Sequence, residues 1–579
     1  MNLTWLYRIA LIAVFLGVIV FIVDFGFPQS ELSQSILNNY YFIVLGISAV
    51  ATVCRYVEKR NPIKRHVIVF DILTVLFTLF IFYLHLFKEQ NLFHLGFYSP
   101  VWVKLAIFFA FIREFSVLKI NYKHTVINPG QLFIASFLFV ILIGTLLLML
   151  PKATYSGISF IDALFTSTSA VCITGLTVVD TGICFTKFGH TIIMLLMQFG
   201  GLGILTFASY FGYFFRGGTT YDNRLALMDM TNSQKISKVF STLKYIIVIT
   251  FGIEIGAGAM IYFSVDANYF HSHYDRLLFS AFHAVTAFCN AGFSTIPNGL
   301  YQETFRFNYL FQMIIIVTFV VGGLGFPIIV NILNYIKYKF STSILFKRRK
   351  TGRRPWVLNI DSKITLITTS CLTGIAFILF FAIEYGNTLS EHSGTGKIVT
   401  ALFEATTPRS AGFNTVDMAH LALPSIMIVI ILMWIGASPA STGGGIKTST
   451  FAIAVLNILS LAKGKTRIEI FRREIAGISM RRAFAIITLS LIMTCLGIIL
   501  VSAFDSEKDL KSIAFECFSA YSTCGLSLGI TGDLSSESKL VIMTMMFVGR
   551  VSMLTILIAV FKKAKYKNYI YPTEEIMIN

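Results

Sequence analysis

The sequence predicts an all-α, polytopic membrane protein: four helix–hairpin–helix repeats around a pseudo-four-fold axis, preceded by four extra transmembrane helices. Three observations predict it. Of the 579 residues, 55% are hydrophobic and only 13% charged, about half the charged share (~25%) of a soluble globule. Apolar runs near the ~20 residues that a membrane-crossing helix needs recur along the whole chain. From about residue 130, one unit returns four times, and such a period outweighs any local signal.

The first four runs are Leu6–Val23, Ile36–Val53, Val67–Leu86 and Val101–Phe115. Arg55, Lys59, Arg60, Lys64 and Arg65 separate the second from the third, whereas Asp24–Asn39 contains neither Lys nor Arg. Basic loops stay cytoplasmic, so the N-terminus lies inside, and the fourth run returns inside at Arg113, Lys119 and Lys123. The first run lacks a small-residue cleavage site and reads as a membrane helix, not a removed signal peptide. A voltage sensor needs basic residues at every third position. Val101–Phe115 offers only Lys104 and Arg113, so residues 1–127 read as peripheral packing or regulation.

The repeats are clearest at their junctions: TSAVCITGLT, HAVTAFCNAGFS, ATTPRSAGFN and SAYSTCGLS, with glycines at Gly175, Gly292, Gly412 and Gly525, spaced by 117, 120 and 113 residues. Six positions before each glycine stands a hydroxyl (Ser169, Thr286, Thr406, Ser519). One position after stands a bulky apolar residue (Leu176, Phe293, Phe413, Leu526). Each second long run carries a glycine motif: GGLG at Gly200, GGLG at Gly322, GASP at Gly436 and GRVS at Gly549. The units are 128–233, 234–355, 356–475 and 476–579. Basic stretches, Arg216–Lys244, Lys337–Arg354 and Lys463–Arg482, divide them, and Lys562–Lys567 closes the last. Every unit therefore starts and ends inside. The segments Ile158–Ile173, Leu277–Cys289, Ile398–Pro408 and Ser512–Thr523 are too short to span and read as re-entrant hairpins from outside.

Non-helical backbone at membrane depth is tolerated only where protein buries it or a water-filled path runs past it. Four such hairpins surround a common axis and can offer it backbone carbonyls, which replace the hydration shell of an ion. Glycine permits positive φ and close approach, and the short helices point their negative C-terminal ends at a cation. Carbonyl ligands also tolerate the side-chain differences among the four junctions. Packing glycines alone would need no such period. The net charge of +18 sits in inter-helix loops, which argues for membrane sidedness and against nucleic acid. The eight cysteines include no CxxC pair, so neither a disulfide framework nor a zinc site is indicated.

The four junctions, together with ASPASTGGGIKTST at Ala437–Thr450 and the closing YPTEEIMIN, resemble the Trk/Ktr/HKT superfamily of potassium transporters, most of all its Ktr-type membrane subunits. The resemblance covers about Asn128 to Asn579. It implies a four-fold pseudosymmetric pore in one chain, whose filter would comprise four stretches. These are Cys172, Ile173, Thr174 and Gly175; Cys289, Asn290, Ala291 and Gly292; Arg409, Ser410, Ala411 and Gly412; and Ser522, Thr523, Cys524 and Gly525, binding potassium through backbone carbonyls. Sodium-preferring members often carry serine at the first glycine, so Gly175 favours potassium. Cysteines at 172, 289 and 524 depart from the family pattern. The resemblance also implies potassium uptake across the cytoplasmic membrane, a homodimer and a cytosolic nucleotide-binding ring of RCK-type subunits, with no cofactor in this chain.

In the third unit, Gly436, Ser438, Pro439 and the run Gly443, Gly444 and Gly445 interrupt the second helix, because proline removes a donor and glycine weakens a helix. By resemblance this loop is an intramembrane gate. Lys447 follows it without the glycine–lysine adjacency of a phosphate-binding loop. Arg550 lies in the apolar run Leu540–Val560, in register with Gly201, Gly323 and Ala437. A charge at that depth costs a few kcal/mol unless it faces water or partners, so it is expected to meet the gate loop below the filter and raise a barrier to cations. Glu254 is a second intramembrane charge, expected to have a structural partner. Arg409 is expected to point away from the axis, with Glu404 a partner for it. Two rival functions remain: a sodium- or proton-coupled secondary transporter, which usually shows inverted repeats, and an ATP-driven pump, for which the chain has no Walker or phosphorylation motif.

Overall fold

The computed structural model describes residues 4–57, 65–86, 100–117, 129–203, 239–344 and 358–560. The basic stretches expected at 58–64, 216–238, 345–354 and 562–567, and the closing segment 571–579, lie outside them. One two-stranded hairpin, Glu469–Ile470 with Arg473–Glu474, is the only strand pairing among the described residues beyond isolated bridges; the other regular elements are helices.

Helices α1 (Thr4–Gly26), α2 (Glu31–Val57), α3 (Arg65–Leu86) and α4 (Pro100–Val117) form an amino-terminal bundle in which α4 touches the other three. Its core holds Val14, Tyr41, Leu45, Ile81 and Ile107. The charges of α4 are tied down: Lys104 pairs with Asp24 at 2.8 Å, Arg113 with Asp71 at 2.5 Å, and Glu114 with Arg55 at 2.5 Å. A buried ion needs such a partner, and these pairs fit a packing role for the bundle. Lys152 of the first unit donates its backbone N–H to Gly26 at 3.0 Å, which docks α1 on the pore-forming part of the chain.

Each following unit opens with a long helix: α5 (Pro129–Leu148), α8 (Val239–Ser264), α12 (Ile360–Glu384) and α16 (Gly477–Phe504). Six described helices, α1, α2, α3, α8, α12 and α16, are long and apolar enough to cross a membrane. A short helix comes next: α6 (Phe160–Cys172), α9 (His273–Cys289), α13 (Thr395–Thr406) and α17 (Leu510–Ser522), of 13, 17, 12 and 13 residues. At 1.5 Å per residue none spans the ~30 Å hydrocarbon core. Local chemistry starts two of them: the hydroxyls of Ser159 and Ser272 accept from the N–H groups of Asp162 and Tyr274, satisfying donors that an open helix end leaves free.

The second helices are α7 (Lys187–Leu202), α10 (Tyr309–Leu324), α14 (Leu423–Trp434) and α18 (Ser536–Val551). The sequence singles out only the third as interrupted, yet breaks occur in all four. Helix α7 ends at Gly203 with φ 75°. Helix α10 bends by 105° at Gly325, φ 85°, into α11 (Phe326–Ile344), and α18 gives way at Ser552, φ 74°, to α19 (Met553–Val560). A residue with positive φ and extended ψ ends the helical ladder at each of these breaks, and in the first two units the last glycine of GGLG supplies it, a conformation open to glycine. The first glycine of the motif has a separate task. A Cβ on Gly200, Gly322 or Gly549 would lie 2.2, 2.0 or 1.8 Å from the carbonyl oxygen of Val171, Phe288 or Tyr521 at the end of the same unit's short helix.

The units close into a ring. Helix α7 packs on α9, α10 on α13, α14 on α17 and α18 back on α6, so each second helix supports the next unit's short helix and the fourth supports the first. Beside this ring, in the connection between α12 and α13, His392 is only 2% exposed and faces the Tyr309 hydroxyl through Nδ1 at 3.2 Å. Burial, with Arg306 and Lys397 nearby, pushes its pKa down to about 4. The unfolded chain takes up the proton near pH 6.5 and the folded chain only near 4. Folding stability is therefore expected to fall as pH drops from about 6.5 to about 4. Thermal melts of wild type and His392→Gln across that range check this, with a flatter profile for the variant.

Candidate functional site

The four junction turns meet at one place. In three of them the short helix ends on a left-handed residue, Ile173 (φ 58°), Asn290 (59°) or Thr523 (49°), whose N–H bonds back to Ala170, Ala287 or Ala520. The next residue donates to the carbonyl of the hydroxyl-bearing position: Thr174 to Ser169, Ala291 to Thr286 and Cys524 to Ser519, at 2.8–2.9 Å. The third turn is wound differently around Pro408, where Ala411 donates to Thr407, but Ser410 (φ 77°) and Gly412 (φ 76°) restore the pattern. In all four, φ is positive two positions before the glycine and again at the glycine, 87°, 70°, 76° and 95° in order.

Glycine is needed here for space as well as for φ. A Cβ on Gly175 would sit 2.3 Å from the Ala291 oxygen; one on Gly292, 3.0 Å from that of Ala411; on Gly412, 2.3 Å from that of Cys524; and on Gly525, 2.2 Å from that of Thr174. Each glycine thus abuts the carbonyl of the following unit, and the fourth abuts the first. All four glycines line one cavity of about 570 Å³, together with Asp180, Asn414 and Asp417.

The hydroxyl register is used unevenly. Ser169 and Ser519 accept the N–H of Gly175 and Gly525 at 3.0 and 3.1 Å, whereas Thr406 bonds within its own helix. Sequence reasoning missed a second set of supports that ties the short helices of the second, third and fourth units to the chain leaving their turns. His283 meets Ser294 at 3.1 Å. Glu404 accepts from the N–H and hydroxyl of Thr415, and Glu516 accepts from Ser527, Leu528 and Thr531. Their signal was a buried polar residue eight or nine positions before the glycine. Glu516→Ala strips three donors of their acceptor, at about 1–3 kcal/mol for each donor left buried and unsatisfied, and is expected to cut the yield of monodisperse protein on gel filtration; Glu516→Gln keeps acceptor capacity and should lose less.

This geometry corrects one expectation. Glu404 is occupied by Thr415, and Arg409 points instead to the hydroxyls of Thr373 and Thr369 at 3.4 and 3.5 Å. The cysteines are all free thiols; Cys172, Cys289 and Cys524 are buried, and the thiol of Cys524 donates to Pro408 at 3.2 Å, binding the fourth turn to the third. Glu254 accepts from Gln198 at 3.1 Å, a partner the sequence did not identify.

The loop between α14 and α15 (Thr448–Ala462) lies against this ring. Its ends are joined by a bridge between Ile435 and Ile446. Ser438 donates its N–H to Gly323 at 3.1 Å, and the Thr442 hydroxyl reaches the carbonyls of Phe288 and Gly322 at 3.3 Å. Gly444 donates to the Ser410 hydroxyl at 3.1 Å, which itself donates to the Thr523 carbonyl at 3.0 Å. Gly443 and Gly444 leave no room for a side chain, since Cβ atoms there would meet Ala437 and Thr523 at 2.5 and 2.1 Å; Gly436 similarly faces the Gly444 carbonyl at 2.2 Å. Gly445 has φ 67°. Lys447 folds back onto the Gly443 carbonyl at 2.6 Å, and Pro439 sits where the Gly325 bend approaches the loop. Arg550 completes the arrangement, donating from Nη1 to Thr442 of the loop and from Nη2 to Gly200 of the first unit at 2.7 Å.

Known proteins share the sequence family and the overall fold of this chain. The TrkH family model, described as a cation transport protein, matches residues 100–569, so the match begins at α4, earlier than the junctions alone suggest. "Ktr system potassium uptake protein B" of Bacillus subtilis is 34% identical over 451 residues, 78% of this chain and 96% of that protein. "Potassium/sodium uptake protein NtpJ" of Enterococcus hirae is 34% identical over 462 residues, 78% and 97%. The crystal structure of the potassium transporter TrkH from Vibrio parahaemolyticus superposes with a TM-score of 0.60 at 17% identity, covering 85% of this chain and 98% of that one, a likeness of fold. The chain belongs to the TrkH family of cation transport proteins.

Proposed function

We propose that this protein carries potassium into the cell across the cytoplasmic membrane, N-terminus inside, by channel-like permeation through the four-turn ring, with the 435–447 loop as its gate. One observation carries the reading: each junction glycine abuts the next unit's carbonyl, in a cycle that closes. Alternating handedness along each turn faces successive peptides the same way, so a turn can offer several oxygens to one ion, the arrangement that strips hydration from a monovalent cation. Arg550 and the loop then close the path below by filling it with a cation and its hydrogen-bonded strap.

Rubidium uptake into proteoliposomes holding the purified chain tests this. Uptake down an imposed rubidium gradient, unchanged by a sodium or proton gradient, is expected. Uptake that requires either gradient overturns channel-like permeation in favour of a coupled carrier. A homodimer and a cytosolic nucleotide-binding ring belong to the same proposal, in keeping with relatives named as proteins of a Ktr system.

A further inference from the structure

A cavity of about 390 Å³ lies between the second and third units, walled by α10, α12 and α13. Its inner end reaches Asn290, Gly323 and Ala437, beside the ring and the loop; on its other side Ser370 and Gly374 of α12 are exposed. Arg409 projects into it. The two hydroxyl contacts of its guanidinium, to Thr373 and Thr369, are long, and its buried Nε has no hydrogen-bond partner. Among the described residues no carboxylate pairs with it, although Lys104, Arg113 and Arg55 in the amino-terminal bundle each have one. A cation at membrane depth costs about 2.5–3.5 kcal/mol on insertion scales, and two stretched hydroxyl contacts offset little of that. What the site lacks is a negative charge.

We propose that this cavity binds the anionic head of a membrane amphiphile, a phosphate or carboxylate, on Arg409, Thr369 and Thr373, with its hydrocarbon chain along Ile316, Phe319, Val320 and Leu402. The polar and apolar lining divides as such a molecule divides: the hydroxyls flank the guanidinium, and the apolar wall would give a hydrated halide nothing. A lateral entry suits a ligand that arrives within the bilayer. The next residue, Ser410, links Gly444 of the loop to the Thr523 carbonyl, so an occupant bears directly on the ring and its strap. That effect on flux rests on the transport reading; binding itself does not.

The test uses the full chain purified in detergent, with native mass spectrometry after incubation with phosphatidylglycerol, oleate, or chloride in place of gluconate. A retained phosphatidylglycerol or oleate is expected on the wild type, the choice between them identifying the head. Retention should fall at least tenfold in Arg409→Gln. It should fall equally in Gly374→Phe, which fills the cavity from a position where a Cβ meets no atom within 4 Å and leaves the arginine in place. Retention equal to wild type in both variants, or thermal stabilisation by chloride alone, overturns the proposal. Rubidium flux in vesicles with and without phosphatidylglycerol is then compared for wild type and Gly374→Phe. A lipid dependence present only in the wild type is expected, and its absence despite retained lipid removes the regulatory role.

Discussion

Arg550→Ala is expected to raise rubidium uptake about tenfold or more. The guanidinium joins the loop carbonyl of Thr442 to the Gly200 carbonyl of the first unit, and hydrogen bonds to a charged group contribute about 1.5–3 kcal/mol each. On the proposed permeation path its charge would also repel a passing cation, by about 3 kcal/mol at ~6 Å and an effective dielectric of ~20. Since about 1.4 kcal/mol is a factor of ten in rate, losing even part of either term suffices. Arg550→Lys separates them, because lysine keeps the charge but cannot span both carbonyls; its flux should stay closer to wild type if repulsion dominates. Unchanged or slower uptake by well-folded Arg550→Ala protein would mean that this residue does not close the path.

Gly175→Ser is expected to reduce rubidium over sodium discrimination at least tenfold in tracer competition. At φ 87° any side chain costs about 1–2 kcal/mol, and the new Cβ would meet the Ala291 oxygen at 2.3 Å, so that backbone oxygen has to move. The ring also predicts an order. Gly412→Ala and Gly525→Ala face oxygens at 2.3 and 2.2 Å and should be as disruptive, whereas Gly292→Ala, at 3.0 Å, should be the mildest of the four. Equal discrimination in Gly175→Ser and wild type would detach this ring from ion choice.

Much of this architecture was legible in the residues themselves. The hydrophobic excess marks the membrane, and the spacing of Gly175, Gly292, Gly412 and Gly525 marks four units, because each unit meets the same local demand for a short helix ending in a positive-φ turn. The loop at Gly436–Lys447 was legible for a similar reason, since proline and three glycines cannot continue a helix in lipid. The breaks at Gly203, Gly325 and Ser552 were not. A single glycine or serine is tolerated in many helices, and only the neighbouring unit decides whether the ladder stops there.

The partners of charged and polar residues lay further out of reach. Arg409 and Glu404 are five residues apart, and proximity in sequence suggested a pair. In the fold each turns to a different element, Glu404 to Thr415 beyond its turn and Arg409 to α12. Arg550 meets Gly200 across 350 residues of chain. Taken alone, then, the sequence determined the membrane class, the fourfold repeat and the turn chemistry, since these follow from what each short stretch must do with its own peptide groups in a solvent without water. The tertiary structure alone decided which carbonyl faces which glycine, what Arg550 holds and that Arg409 has no counter-charge among the described residues, because those depend on closing four distant units into one ring.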